Sequence, residues 1–377
     1  MPDLKSPASS TSESVALDDP GVSSDRPRRL SVIIPNYNYG VFIGESIASA
    51  LAIDWPDVEV VVVDDGSTDH SRQVIESFGD RVRGVFQPNC GNLEACNHGF
   101  AVSTGDVVYI LDSDDRVRPQ LMREVAAVWS ARVAKVQFQL QTIDRDGQPS
   151  GTAFPRYRVV PSPEQVLQVA CAIGNYPGPN TAGNVYARRF LERIFPLKPV
   201  AGRFSDTYCI AAAPFNGDVV TIAKPLAEYR VHGANDCAMT DLDGRRFASF
   251  VDVAMKMFDY ARSVAREKSI EIEPRAIDRS LHTLASRVAS LRLARASHPC
   301  PGDTRTSVAW LLVNALRYPQ GVGSLQSLAL VIWGLATLAA PSALATRLVT
   351  WRFVPTSRPA ALSRLMMMWG IVRASKA

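Results

Sequence analysis

The chain has 377 residues, 46% hydrophobic and 21% charged, with a formal net charge of +4. That length builds one large or two moderate domains. So mild a charge leaves no electrostatic footprint for nucleic acid, so no nucleic-acid partner is expected. The six cysteines (Cys90, Cys96, Cys171, Cys209, Cys237, Cys300) form no CxxC pair. Their spacing supports neither a zinc site nor a disulfide framework and fits thiols in a reducing compartment.

In chain order, residues 1–29 are rich in Ser, Pro, Asp and Thr and read as a disordered tail. They hold no apolar stretch and hence no signal peptide, so a cytoplasmic protein is expected. Order should begin at Leu30. Residues 30–34 (LSVII) form a first strand ended by Pro35, and 41–51 have helical spacing. Residues 59–63 (EVVVV) form a second buried strand that runs into Asp64 and Asp65, and Ser67-Thr68-Asp69 then caps a helix to about Phe78. A weaker strand at 82–86 precedes a helix at 92–102. The fourth strand, 107–111, runs into Asp112, Asp114 and Asp115; a helix at 119–129 and a strand at 133–140 follow. Strands alternating with helices indicate βαβ units and a parallel sheet.

Beyond a loop at 144–163 the spacing predicts helices at 163–172, 185–194 and 206–213, with a turn-rich loop at 175–183. Residues 219–222 and 226–230 read as paired strands, and 246–267 and 276–296 as helices. The last region differs. From Leu311 onward there are seven basic residues and no acid, so the rest of the chain is slightly acidic. Residues 325–345 carry no charge and are interrupted by Pro341, and 362–372 (LSRLMMMWGIV) are again apolar. Such a segment can lie in a membrane interface, span a bilayer, or pack in a core or dimer. The interfacial helix is favoured, since each Lys or Arg near an anionic leaflet adds roughly 1 kcal/mol.

The polar chemistry gathers at the C-terminal ends of the strands: PNYN after the first, DDGSTD after the second and DSDD after the fourth. Open α/β sheets bind ligands there. Crowded acids repel unless a cation joins them. In an extended segment Asp112 and Asp114 share one face, and oxygen donors suit Mg²⁺ or Mn²⁺ while leaving room for phosphate oxygens. The alternative is a polar turn with a helix cap. Asp64 can accept from a uracil N3–H, or 65–66 can be a plain turn. Tyr37 can stack on a base, and Asn38 suits a turn.

Together "LSVIIPNYNYG", "VEVVVVDDGSTD", "GNLEACNHG" and "TGDVVYILDSDD" resemble the inverting glycosyltransferases of family 2, which have the GT-A fold. The likeness is strong over 30–129 and continues to about Asn235 through "GNVYARRFLERI", "RFSDTYCIAAA" and "KPLAEYRVHGAN". It implies a Rossmann-like mixed α/β sheet followed by a helical C-terminal region. The divisions expected are a tail at 1–29, a GT-A domain at 30–240, a helical extension at 241–300 and a membrane-associating tail at 301–377. By the resemblance, Pro35, Tyr37 and Asp64 border the nucleoside, with Asn38 and Asp65 beside them. Asp112 and Asp114 match the DxD metal motif. Asp206 falls at the general base, and His232 at a histidine near metal or diphosphate. Two positions depart from the pattern: Ser205 stands where an acid usually precedes the base, and Cys96 where many members carry Arg.

The expected activity is inverting transfer of a sugar from a nucleotide-sugar donor, a UDP-sugar favoured, to a glycan or lipid-linked acceptor at the inner face of the cell membrane. A nucleotide-sugar-binding protein with little turnover is the alternative. A nucleotidyltransferase fits less well, since the loop after the first strand lacks basic residues.

Overall fold

The computed structural model describes residues 26–157, 159–200, 202, 204–233, 243–354 and 357–359. Most of the proposed N-terminal tail, the apolar stretch at 362–372 and the end of the family likeness at Asn235 lie outside the described residues.

One eight-stranded sheet, in the order β3-β2-β1-β4-β7-β6-β8-β5, organises the fold. Its first half is parallel: β1 (Leu30–Asn36), β2 (Val58–Asp65), β3 (Arg83–Gln87) and β4 (Val107–Ile110) alternate with α1 (Ile43–Leu51), α2 (Ser71–Ser77) and α3 (Asn92–Val102). The apolar runs predict these strands because both faces of the sheet are covered. Along β1, Val32 and Ile34 face a core with Ile43, Ile47 and Leu121, whereas Ile33 faces Phe100 and Phe258 on the other side. Helix α3 lies so close to the sheet that a Cβ at Gly99 would collide with Ile33.

The second half is mixed. After the two-residue β5 (Arg116–Val117) and α4 (Leu121–Ala127), the long β6 (Val133–Ile143) pairs antiparallel with β7 (Asn184–Ala187) and parallel with β8 (Asp218–Arg230). Helix α5 (Pro163–Ile173) ends at Gly174, which is left-handed (φ 75°). The helix expected over 185–194 is only α6 (Arg188–Leu191). Its first residues form β7, buried between β4 and β6, where an extended NVYA run satisfies two neighbours' backbone groups. The two strands expected over 219–230 are one. Pro225 is tolerated because register shifts interrupt the β6–β8 ladder beside it.

Helix α7 (Ser205–Ala212) leads into β8. Helices α8 (Gly244–Glu267), α9 (Leu281–Leu293), α10 (Arg305–Ala315), α11 (Ser324–Ala339) and α12 (Ser342–Phe353) complete the described chain. The helix expected over 276–296 is a 3₁₀ turn (Ala276–Arg279) and then α9, capped by the Ser280 hydroxyl, which accepts from the Thr283 amide. Leu284, Val288, Leu312, Val331 and Leu338 share one core. The uncharged 325–345 stretch breaks at Pro341 into α11 and α12, and no described helix is long and apolar enough to cross a membrane. One face of α11 packs on α9 and α10; the other presents Leu325, Leu328 and Ile332 outward.

Candidate active site

The parallel register levels the ends of β1 and β2, setting Asn36 beside Asp64. Asn36 Nδ2 donates to Asp64 Oδ1 (2.8 Å) and to the Ser67 hydroxyl (3.1 Å), and the Ser67 amide donates to Asp64 Oδ2 (3.2 Å). Asn38, with φ 59°, braces the same loop: its amide donates to Ser67 Oγ (2.9 Å) and its Oδ1 accepts from the Thr68 amide (2.8 Å). Pro35 is buried in β1, whereas Tyr37 is 45% exposed at the mouth. Asp65 points elsewhere. Its carboxylate accepts from Gln87 Nε2 (2.7 Å) and from the amides of Cys90 (2.9 Å) and Gly91 (2.7 Å), fixing the loop that leads into α3. Gly66 is required there: its φ is +74°, and a Cβ would collide with the Asn89 amide.

After β4 the chain does not stay extended. The Asp115 amide donates to the Asp112 carbonyl at 3.0 Å, closing a turn. The segment is therefore a turn and not the extended strand end expected, with Asp112 and Asp114 on different partners. Asp114 Oδ2 lies 2.9 Å from His232 Nε2, and the His232 ring stacks near Phe42 (4.8 Å) and Tyr39 (5.8 Å). Asp115 is buried and accepts the Arg230 amide at 2.8 Å through Oδ1, while its Oδ2 has no partner. The Thr181 hydroxyl donates to Asp206 Oδ2 at 3.2 Å and lies beside Asp112, whose carboxyl it helps to hold down. One threonine thus joins the DSDD turn to the first turn of α7.

Burial, then repulsion from Asp114 and Asp206, pushes the Asp112 carboxyl well above the usual range. Burial also raises Asp206, against hydrogen bonds from Thr181 and Thr207. A set of acidic oxygens with surplus negative charge and an unpartnered Asp115 oxygen fits a hard divalent cation.

Some residues here escape sequence reasoning. Arg230, fully buried, donates to the carbonyls of Asp114 and Arg145 (both 2.8 Å) and to Glu45 Oε2 (2.7 Å). Its only signal is its place in "YRVHG", two residues before His232. Thr181 carries no signal within its turn-rich loop. Lys135, also buried, donates to Gln137 Oε1 (3.0 Å) and Asn184 Oδ1 (2.8 Å) behind that loop. Among the described residues, three His, Cys, Asp or Glu ligand atoms lie within 4.8 Å of one another only at His298, Cys300 and Asp303. There the Arg287 guanidinium already holds both oxygens of Asp303, so a cation is in place without a metal.

The family model for glycosyl transferase family 2 matches residues 31–193. An uncharacterized glycosyltransferase, alr2836 of Nostoc sp. PCC 7120, is 38% identical over 218 residues, or 55% of this chain and 66% of that protein. The glycosyltransferase GlyG of Streptococcus pneumoniae is 36% identical over 97 residues, or 25% of this chain and 32% of that one. The chain therefore spans no more than 66% of the length of these curated relatives. Among solved structures, S. aureus TarS 1–349 in complex with UDP-GlcNAc superposes with a TM-score of 0.51 at 18% identity, covering 86% of this chain and 91% of that one. With its mixed curled sheet and the motifs at its strand ends, the chain has the GT-A fold, and its residues 31–193 form a glycosyltransferase family 2 domain.

Proposed function

We propose that the protein transfers a sugar from a nucleotide-sugar donor, a UDP-sugar first, to a glycan or lipid-linked acceptor with inversion at the anomeric carbon. The observation that carries this reading is the Thr181 hydroxyl between Asp206 and Asp112. It brings a candidate base and the acidic turn into one cleft. Asp64, Tyr37 and Pro35 would border the uridine, and Asp64 keeps lone pairs for a base N–H. Asp112 and Asp114 would hold Mg²⁺ or Mn²⁺, with His232 orienting Asp114. That cation would offset the diphosphate charge and make it a better leaving group. Asp206 would take the acceptor hydroxyl's proton, a role worth about 10² to 10⁴-fold. The solved relative TarS was captured with UDP-GlcNAc, which makes UDP-sugars the first donors to try. A location at the inner face of the membrane suits the acid-free C-terminal region.

The second reading, a nucleotide-sugar-binding protein with little turnover, is favoured by Ser205 and Cys96. Incubating the purified protein with UDP-, GDP- and dTDP-sugars, with and without Mn²⁺, decides between the two. Metal-dependent donor hydrolysis that falls at least 100-fold in Asp206→Asn, with UDP still bound, supports transfer. Binding without hydrolysis supports the second reading. Undiminished hydrolysis in Asp206→Asn overturns the assignment of the base.

A further inference from the structure

A cavity lies beside the loop that carries Thr181. It is a groove of about 830 Å³ between that loop and helices α11 and α12, a volume typical of ligand pockets. Its walls are apolar. Leu325, Leu328 and Ile332 form an i, i+3, i+7 stripe along α11, each at least 44% exposed, and Trp351 of α12 lies across from them.

Two basic side chains also line this groove. The Arg352 guanidinium stacks on Trp333 (5.5 Å) and Phe353 (5.4 Å), and among the described residues its Nε has no hydrogen-bond partner. Among the described residues no carboxylate pairs with it. His282 shares the groove, and burial together with the Arg352 charge holds its imidazole below the usual range. Arg358 adds a second positive charge beside Arg352. A half-buried cation without a counter-charge gives up hydration that nothing replaces, and a second one beside it adds repulsion. An anion with an apolar body removes both penalties, and phosphate is the anion a guanidinium binds best.

From this we infer that the groove holds the apolar chain and the phosphate of a lipid-linked acceptor. The inference rests on the sugar-transfer reading and names its acceptor class. The chain's own C-terminal segment fits less well, because no Asp or Glu follows Asp303 in the sequence. The same holds for the α11–α12 face of a second copy. The groove is also suitably placed: Asn175 to Gly178 line it, and Thr181, three residues on, donates to Asp206. Three residues reach at most about 10 Å, so the end of the groove at Gly178 lies close to the residue that donates to the base.

Farnesyl phosphate, farnesol and inorganic phosphate serve as probes of the full chain, read by quenching of Trp333 and Trp351 fluorescence and by calorimetry. Farnesyl phosphate should bind at least tenfold tighter than farnesol, and inorganic phosphate should not compete at the same concentration. Ile332→Glu, at an outward-facing position, and Arg352→Gln should each weaken binding at least tenfold, with melting temperatures confirming that both variants fold. Equal affinity for farnesol and farnesyl phosphate overturns the inference. So does a dimer at working concentration that Ile332→Glu dissociates, since a second copy would then fill the groove. UDP binding is measured in the same samples. If UDP binds and farnesyl phosphate does not, the inference fails while the sugar-transfer reading stands; if neither binds, that reading fails too.

Discussion

The Cys96 thiol donates to the Ser205 hydroxyl at 3.3 Å, and both side chains are buried. These are the two positions at which the chain departs from the family pattern, so the departures are one contact. Where the resemblance implies an arginine and an acid, this protein has a neutral pair. Burial pushes the Cys96 thiol up to about 12, so it stays protonated. Asp206, next in sequence, therefore has no acidic neighbour at position 205 to raise its carboxyl further.

Ser205→Asp tests whether the pair acts as a unit. The new carboxylate would be buried beside Cys96 and close to Asp206 and Asp112, with no cation to receive it. The single variant should lose stability and donor hydrolysis, and Cys96→Arg alone should strand a buried guanidinium. The double variant should recover part of both losses, with a coupling of about 0.5–3 kcal/mol. Urea unfolding of the four proteins measures it, and strictly additive losses would refute the idea.

Where the sequence was legible, local pattern and tertiary demand agreed. Apolar runs predict β1, β2 and β4, the last two running into acids, and the bounds of α3 follow from its spacing alone. The residues 184–187 misled because a four-residue strand takes its identity from distant partners, β4 and β6, while the adjoining ARRFLERI has helical spacing. The acidic turn was placed correctly at the sheet edge. Its internal geometry was not, because the bond from the Asp115 amide to the Asp112 carbonyl leaves no mark in composition. Arg230 and Thr181 act across 116 and 25 residues of sequence, contacts that only the folded chain reveals.

Arg230 should matter more than its position suggests. Its guanidinium ties the DSDD turn to Glu45 on α1 and to the 145 carbonyl, and stacks 5.1 Å from the Phe42 ring. An ammonium cannot reproduce that planar fork. Arg230→Lys should cost about 1–3 kcal/mol, because the Asp114 and Arg145 carbonyls lose their donors. It should also weaken Mn²⁺-dependent UDP binding, because Asp114 and Asp115 lose their brace. Thermal unfolding and UDP titration check the two effects, and a variant as stable as the parent would show that the network is dispensable.

Lys135 offers a test by pH. Burial pushes its ammonium down to about 7, although the nearby Cys209 and Asp206 work in the opposite direction. The unfolded chain, with an ordinary lysine near 10.5, then binds the proton more tightly than the folded one. The protein should gain stability relative to Lys135→Met as pH rises from about 7 toward 10, and show a constant difference below 7. Urea midpoints of the pair across that range decide it; a pH-independent difference would mean that Lys135 titrates normally.

Asp303 behaves in the opposite sense. Its oxygens accept from Arg287 at 2.9 and 2.5 Å, and His298 Nε2 lies at 3.0 Å. Burial raises this carboxyl, but the hydrogen bonds from His298 and Arg287 and the Arg287 charge outweigh it and hold it down to about 2. A carboxyl depressed in the folded state stabilises above its unfolded value near 3.8, and that contribution is lost as pH falls toward 2. At about 1.4 kcal/mol per unit the linkage amounts to roughly 2 kcal/mol. Asp303→Asn should cost about 3 kcal/mol at neutral pH, because Arg287 keeps only Asp278 as an acidic partner. The gap between variant and parent should then narrow as the parent is acidified from pH 4 to 2. Hydrogen exchange should place the loss in α9 and α10, which Asp303 links to each other, and leave the central strands β1 and β4 protected. A gap that stays constant to pH 2 would mean that Asp303 does not carry the charge on which this network depends.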